Sequence, residues 1–314
     1  MIRQFEDVLK ARGIVIAPGS HLERICIRIM DWERQRKGLE PINLMEDVRK
    51  PWSEALGLWD LVRHITDLSS HPGFDALIPH LALLNKGSAP QNVVALQDEA
   101  SNKVFELLIG LISLRVGKDV STDDPNHSKG DNPDVIVTLE EKRWGLACKV
   151  LNGFSPLTMF ERLEEGVNQI ENSPKVETGC VVFNLKNVLD HNLLWPILNL
   201  DQFRSGKLPY FAAWPSLDCP LSVLLEVAGQ KHRDLVEVNT EPELRKLFHG
   251  KKATPGALLF LQTGTALRTS VGPLMTSVGV FVYMDLFETG QCPKALNLLN
   301  YAMHHRPVPT QSSS

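Results

Sequence analysis

The sequence is poor in the features that mark several common classes of protein. Its five cysteines are far apart in the 314-residue chain and none stands in a CxxC pair, so they predict reduced thiols rather than a disulfide framework or a zinc site. Positive charge is not in excess either, because 33 Lys and Arg face 37 Asp and Glu, for a net charge of −4. A chain with this balance does not bind nucleic acid through its overall charge, so contact with nucleic acid needs a local basic patch.

Long hydrophobic runs are also missing. The least charged region, residues 253–284, is interrupted by Arg268 and punctuated by Gly and Pro, whereas a membrane-spanning helix needs about 20 apolar residues. The first segment, MIRQFEDVLKARG, carries acidic residues and no unbroken apolar run, unlike a signal peptide. We therefore expect a cytoplasmic protein with no membrane partner.

The chain changes character before its middle. Up to about residue 85, apolar residues return every three or four positions, which predicts helices. The following segment, KGSAPQN at residues 86–92, has the Gly, Ser and Pro content of a linker. We therefore predict a helical N-terminal region at 1–88, a second domain at 89–306 and a flexible tail at 307–314.

The second region mixes helices and strands. A helix is predicted over residues 96–116, and the polar stretch VSTDDPNHSKGDN follows it. The runs PDVIVTL and RWGLACKVL predict an antiparallel hairpin. A helix near 156–171, a buried strand at GCVVFNL and later strands at 257–262 and 279–284 complete the pattern. This order predicts an α/β fold in which helices cover both faces of a sheet.

One carboxylate interrupts an otherwise apolar helix. Between Lys103 and Arg115 only Glu106 is charged, and apolar residues cover more than half of the helix surface. A helix of this composition is mostly buried, so its carboxylate faces either a small solvent gap or a polar site. The helix by itself leaves both interpretations open.

Two further residues belong to the predicted hairpin. Asp134 follows Pro133 and opens the first strand, while Lys149 lies in the second strand on the face that it shares with Ala147. Taken alone, the Asp fits a turn and the Lys fits an edge-strand lysine that prevents aggregation. Together with Glu106 they give an ordered set: Glu on a helix, Pro-Asp opening a strand, a hairpin, then Lys on the next strand.

This order resembles the core of the PD-(D/E)xK nuclease superfamily over residues 96–185. The resemblance implies a restriction-endonuclease-like mixed sheet flanked by helices, and a metal-dependent nuclease that hydrolyses DNA with Mg²⁺ or Mn²⁺ in restriction, defence or repair. It implies that Glu106 and Asp134 are metal ligands and that Lys149 is the catalytic lysine that positions or activates water. Clustered carboxylates hold hard cations, and a positive group stabilises the charge that develops on phosphate.

One position departs from the superfamily pattern. The residue two before the lysine should be an acid, or Gln in some branches, and here it is Ala147. A branch of the superfamily moves the missing acid onto the following helix. Among Glu161, Glu164, Glu165 and Glu171, helical spacing brings Glu164 and Glu171 near the inward face, and Glu171 lies about two turns further along, so Glu164 is the candidate third metal ligand. An ordinary solvated acidic face and an engineered change at Ala147 are the alternatives.

Other interpretations stay open at this stage. A catalytically silent protein with the same fold, binding nucleic acid or a protein partner, is the rival to a nuclease, and a homodimer is not fixed either way. His127 and Asp131 precede Asp134 and either line its cleft or belong to an ordinary loop, while Lys251 and Lys252 suit a nucleic-acid backbone or a plain turn. The same choice, between a DNA contact and a charged helix surface, applies to the basic residues Arg24, Arg28, Arg34, Arg36 and Lys37.

Overall fold

The computed structural model of the chain describes residues 1–36, 49–125, 132–153, 155–195, 212–270, 272–287, 290 and 292–304. The helices are α1 (Ile2–Lys10), α2 (His21–Arg36), α3 (Arg49–Leu68), α4 (Ile78–Leu81), α5 (Glu99–Val116), α6 (Pro156–Asn172), α7 (His191–Leu194), α8 (Asp218–Val238), α9 (Glu241–Phe248) and α10 (Lys294–His304). The strands are β1 (Lys118–Thr122), β2 (Val135–Leu139), β3 (Lys142–Val150), β4 (Thr178–Asn184), β5 (Ala253–Thr269) and β6 (Gly272–Asp285). Short 3₁₀ turns lie at Phe74–Leu77 and Ala82–Asn85.

The strands form one mixed sheet in the order β1-β2-β3-β4-β5-β6. The first three strands are an antiparallel meander, β4 and β5 continue the sheet in parallel with β3, and β6 returns antiparallel to β5. The predicted hairpin is confirmed as β2 and β3, which pair antiparallel from Val135 opposite Leu146 to Leu139 opposite Lys142. This register places the start of β2 beside the carboxyl half of β3.

Helices cover both faces of the sheet, as the sequence predicts. Because side chains alternate along a strand, Trp144 and Leu146 of β3 point into one core with α1, α2, α3, α5 and α10. Ala147 of β3 and the following Leu151 point into the other core with α6, α8 and α9. The site-bearing strand β3 is therefore buried on both sides, and its position is fixed by α5 on one face and α6 on the other.

The sequence missed one strand and underestimated two others. The sequence pattern places β1 at the start of a polar stretch, because its only apolar residue is Val120 and so it shows no alternation. β5 and β6 are 17 and 14 residues long, well beyond the predicted segments 257–262 and 279–284. Polar residues such as Gln262, Thr263 and Thr265 are buried in β5, and their presence conceals the full strand from a hydrophobic pattern.

The segment at residues 86–92 has no regular structure but is packed into the protein. Ala89, Gln91 and Asn92 are buried, and Asn92 Nδ2 donates a hydrogen bond to the Ser53 backbone oxygen of α3 at 2.8 Å. The domain boundary that the sequence predicts near residue 88 stays a prediction. In the structure, buried residues lie on both sides of residue 88. In the described part of the chain, every helix is too short or too polar to cross a membrane.

Candidate active site

α5 carries Glu106 into the interior of the protein. The helix begins after Asp98, whose side chain accepts a hydrogen bond from the Ser101 backbone nitrogen at 2.8 Å and so satisfies one of the free N–H groups of the first turn. The rest of α5 is buried from Val104 to Leu114 because apolar residues surround it. The Glu106 side chain is only 6 % exposed, so its charge needs partners inside the fold.

Both oxygens of the Glu106 carboxylate have partners. His80 Nε2 lies 3.0 Å from Oε2, and the His80 ring has no exposed surface. Lys103, one helical turn earlier, donates from Nζ to Oε1 at 2.8 Å. His80 must carry its proton on Nε2 to donate to the carboxylate, so this pair also sets the tautomer of the imidazole.

Asp134 lies where β2 begins, next to the carboxyl half of β3. Its Oδ2 accepts a hydrogen bond from the Cys148 backbone nitrogen at 2.7 Å, which fixes the side chain across the hairpin. Its Oδ1 lies 4.0 Å from Lys103 Nζ. The Lys103 ammonium therefore contacts the carboxylates of both Glu106 and Asp134, two predicted metal ligands that are 28 positions apart in the sequence.

The two carboxylates compete for positive charge. Burial, followed by repulsion from Glu106, raises the pKa of Asp134 to about 7, although Lys149 and Lys103 act in the opposite direction. Burial alone would lower the pKa of Lys103, but the Glu106 carboxylate outweighs it and the pKa is raised. The cluster thus contains two buried acids whose ionised forms are stabilised by a nearby cation.

Lys149 belongs to the same cluster. Its side chain is 13 % exposed, and its Nζ lies 3.9 Å from Glu165 Oε2 on α6. Its positive charge is close enough to Asp134 to lower the pKa of that carboxyl. The structure thus brings Glu106 and Asp134 together around Lys103, and Lys149 lies close enough to act electrostatically on Asp134 while its ammonium faces Glu165 of α6.

Close packing of α6 on the sheet occupies the space beside Ala147. Ala147 is fully buried, and a Cβ added at Gly166 of α6 would lie 3.4 Å from the Ala147 Cβ and 2.7 Å from Val181 Cγ2. The carboxylate that α6 presents to Lys149 is that of Glu165, which also accepts hydrogen bonds from Arg162 Nη1. Glu164, the predicted third ligand, is an exposed residue of the same helix, and its role stays a prediction.

Sequence reasoning did not identify two members of the cluster. Lys103 could have been found from its spacing, because residues three apart on a helix are neighbours and Lys103 stands three before Glu106. His80 had no such signal, since it lies 26 residues before Glu106 and belongs to the N-terminal region.

A second polar network adjoins the site at the carboxyl end of β4. Lys186 Nζ donates to Ser101 Oγ at 2.7 Å and to Gln91 Oε1 at 3.1 Å, and Asn184 Nδ2 donates to the same Gln91 oxygen at 3.0 Å. Burial lowers the pKa of Lys186 to about 8. Ser101 lies two residues before Lys103 in α5, so this network supports the turn of the helix that carries the site. Nothing in the sequence pattern marked it.

Three of the other basic candidates make contacts elsewhere in the described part of the chain. Arg28 pairs with Glu54 at 2.8 Å, Arg24 donates to the Gly19 backbone oxygen at 2.8 Å, and Lys252 Nζ donates to backbone oxygens at the end of α6. Each of these contacts is an ion pair or a hydrogen bond to a backbone oxygen within the protein. The candidates that lie outside the described residues are Lys37, His127, Asp131 and the tail at 307–314.

The donor set suits a hard divalent cation. Mg²⁺ is usually held by one or two carboxylates together with water and substrate phosphates, and Glu106 and Asp134 are two carboxylates of which Asp134 has its pKa raised by burial and then by repulsion from Glu106. Within the described ranges, no three His, Cys, Asp or Glu side chains are arranged to hold a metal ion. A cation here would therefore be held by these two carboxylates, water and substrate.

No family model matches the chain, and neither a curated protein nor a solved structure matches it. A function for this protein therefore has to be argued from its own residues and their arrangement.

Proposed function

We propose that the chain is a metal-dependent nuclease of the PD-(D/E)xK type, with a restriction-endonuclease-like fold, that hydrolyses DNA phosphodiester bonds with Mg²⁺ or Mn²⁺. The observation that carries the proposal is that two buried carboxylates, Glu106 and Asp134, both contact the Lys103 ammonium, and that Lys149 acts electrostatically on Asp134. The order of elements supports it, because Glu106 lies on a helix, Asp134 opens a meander strand and Lys149 lies on the next strand.

Each residue has a distinct role in this proposal. Glu106 and Asp134 would hold the metal ion, which when bound supplies a Lewis acid that stabilises the charge developing on the phosphate. His80 holds the Glu106 carboxylate in place through Nε2, and the Cys148 backbone N–H does the same for Asp134. Lys149 places a positive charge beside Asp134, where it orients the attacking water and balances the negative charge of the reacting phosphate.

Substitution at the two central residues tests the proposal. Asp134→Asn keeps an oxygen that accepts from Cys148 N–H but removes the ligand charge, and Lys149→Met removes the ammonium while keeping the chain length. We expect each change to lower Mg²⁺-dependent cleavage of supercoiled plasmid by about 100-fold or more, the range typical of a lost catalytic group. The matched control is Lys142→Met, which removes an exposed lysine at the opposite end of β3 and should leave cleavage unchanged.

Cleavage that survives both substitutions, in protein that still gives a native circular-dichroism spectrum, would contradict the proposal. It would mean that the activity belongs to a contaminant or to another site. The absence of any cleavage by the unsubstituted chain would do the same.

A second candidate function is a catalytically silent protein that binds nucleic acid. One observation favours it: at the position where the superfamily pattern has an acid, this chain has Ala147, and the Ala147 side chain is buried under α6. In that case fluorescence anisotropy would show binding of a labelled DNA duplex that is independent of Mg²⁺ and is not followed by cleavage. A homodimer, a cytoplasmic location and a role in restriction, defence or repair stay expectations from the sequence and its resemblance.

A further inference from the structure

The Lys103 ammonium lies where the two proposed metal ligands meet. It donates to Glu106 Oε1 at 2.8 Å and lies 4.0 Å from Asp134 Oδ1. A cation held jointly by the same two carboxylates needs the same oxygens. The lysine side chain and a divalent ion are therefore competitors for one position.

Electrostatics explains why a lysine is found there. Two buried carboxylates repel each other and are poorly solvated, so a positive charge between them stabilises the fold. Lys149 also acts on Asp134, but its ammonium lies 3.9 Å from Glu165. Among the described residues, Lys103 is the lysine whose ammonium contacts both acids. Its side chain is 24 % exposed, which gives the ammonium a route towards solvent.

We propose that Lys103 is an internal cation that balances Glu106 and Asp134 when no metal is bound, and that a divalent metal binds by displacing its ammonium from Glu106. This inference rests on the proposed function only in taking these two carboxylates as the metal ligands. Lys103 is a positioning residue: it holds the carboxylates together before the metal arrives, and after displacement its charge stays at the edge of the site, where a phosphate would enter.

Removal of Lys103 should make the metal bind more tightly. A metal that displaces the Lys103 ammonium must break its charge-assisted hydrogen bond to Glu106. A bond of this kind corresponds to a change in metal affinity of roughly 10- to 100-fold. We expect Mn²⁺ alone, titrated into Lys103→Met and followed by electron paramagnetic resonance, to bind tighter by that factor than to the unsubstituted chain. Lys103→Arg keeps a cation and should stay within a few-fold of the unsubstituted chain, and Lys142→Met controls for the loss of one positive charge.

Thermal melting gives a second readout. Lys103→Met should lose stability in EDTA, because Glu106 and Asp134 lose the ammonium that contacts both, and Mn²⁺ should raise its melting temperature more than that of the unsubstituted chain. The double variant Lys103→Met with Glu106→Gln removes one charge of each sign, so it should fold in EDTA and lose the tight Mn²⁺ site. If Lys103→Met stays unfolded in saturating Mn²⁺ while the double variant folds, a divalent ion does not replace the lysine and the inference is overturned.

The outcomes separate this inference from the proposed function. If the unsubstituted chain cleaves DNA but Lys103→Met binds Mn²⁺ no more tightly, the inference fails and the nuclease proposal stands. If only Lys103→Met binds Mn²⁺ and the unsubstituted chain neither binds it nor cleaves, the inference holds and the nuclease proposal fails. Equal tightening in Lys103→Arg and Lys103→Met would also overturn the inference, because the effect would not come from charge.

Discussion

Lys186 shows how a single buried charge is accommodated beside the candidate site. It has no exposed surface, and its ammonium donates to Gln91 and Ser101, two neutral partners. Asp98 contributes attraction from further away, but burial dominates and lowers the pKa of Lys186 to about 8. The protein therefore pays for this cation in stability at neutral pH.

The shift sets a definite pH dependence of stability. Because the pKa of Lys186 in the folded protein is lower than the ordinary lysine value of 10.5, the unfolded chain binds more protons between about pH 8 and 10.5. The cost of the buried charge is thus complete below pH 8 and is relieved as pH rises to 10.5. Replacing Lys186 by Met removes this dependence, so the stability advantage of Lys186→Met over the unsubstituted chain should shrink by about 3 kcal/mol over that range.

Urea unfolding of both chains at pH 7, 8, 9 and 10 measures this difference. The comparison cancels the titration of every other group, and Lys142→Met is the control because Lys142 is exposed. A difference in the free energy of unfolding that stays constant across the series would show that Lys186 is neutral at pH 7 or solvated in the folded state.

At the scale of residues, the sequence predicted the ionised groups of the site but not what holds them. Glu106, Asp134 and Lys149 could be singled out because each is a charge in an apolar or extended context. The hydrogen bond from His80 to Glu106 depends on how the segment around His80 packs on α5, which is a tertiary contact without a periodic signal.

At the scale of elements, the turn between β2 and β3 is a place where the sequence departs from local preference. Glu140 and Glu141 both have positive φ, at 46° and 64°, as the two central residues of a type I′ hairpin turn do. Asn followed by Gly is the pair best suited to these angles, whereas a Cβ at positive φ costs energy. The hairpin therefore carries strain at the end far from Asp134.

Relief of this strain should stabilise the protein. We expect the double substitution Glu140→Asn with Glu141→Gly to raise the free energy of unfolding by about 1 kcal/mol, since each residue then fits its backbone angle. The measurement is the midpoint of urea denaturation, with an unchanged slope as the sign that the unfolded state is unaffected. A lower midpoint would show that the two glutamates make contacts worth more than the strain.

The elements differ in how far the sequence predicts them. α5 and the β2–β3 hairpin follow from strong periodic patterns, whereas β1 has one apolar residue, Val120, and no pattern to detect. The orientation of α6 on the sheet has no comparable pattern in the sequence, because it depends on the close packing of Gly166 against Ala147 and Val181. That close contact is a property of the packed fold, and it leaves Glu165 as the residue that reaches Lys149.

At the scale of the whole molecule, the N-terminal helices and the sheet share one core. Gln262 Nε2 of β5 donates to Asp60 Oδ2 of α3 at 2.9 Å, and a Cβ added at Gly57 of α3 would lie 1.9 Å from Asn92 Oδ1. Apolar residues of α1, α2 and α3 belong to the same buried cluster as those of α5 and the sheet. The predicted division near residue 88 therefore crosses a densely packed interior, unlike a linker between independent domains.

This continuity predicts how the protein unfolds and what truncation does. We expect far-UV circular dichroism and tryptophan fluorescence to report a single coincident urea transition for the full chain. A fragment of residues 89–314 should show no cooperative transition, because it exposes the face of α5 and the sheet that α1 to α3 bury, and it also lacks His80, the partner of Glu106. Deletion of 307–314, predicted from sequence to be flexible, is the control and should leave the midpoint unchanged.

A cooperative transition in the 89–314 fragment, with the slope expected for its size, would contradict this expectation. It would establish the division at residue 88 as a true domain boundary and would show that Glu106 keeps its place without the His80 imidazole.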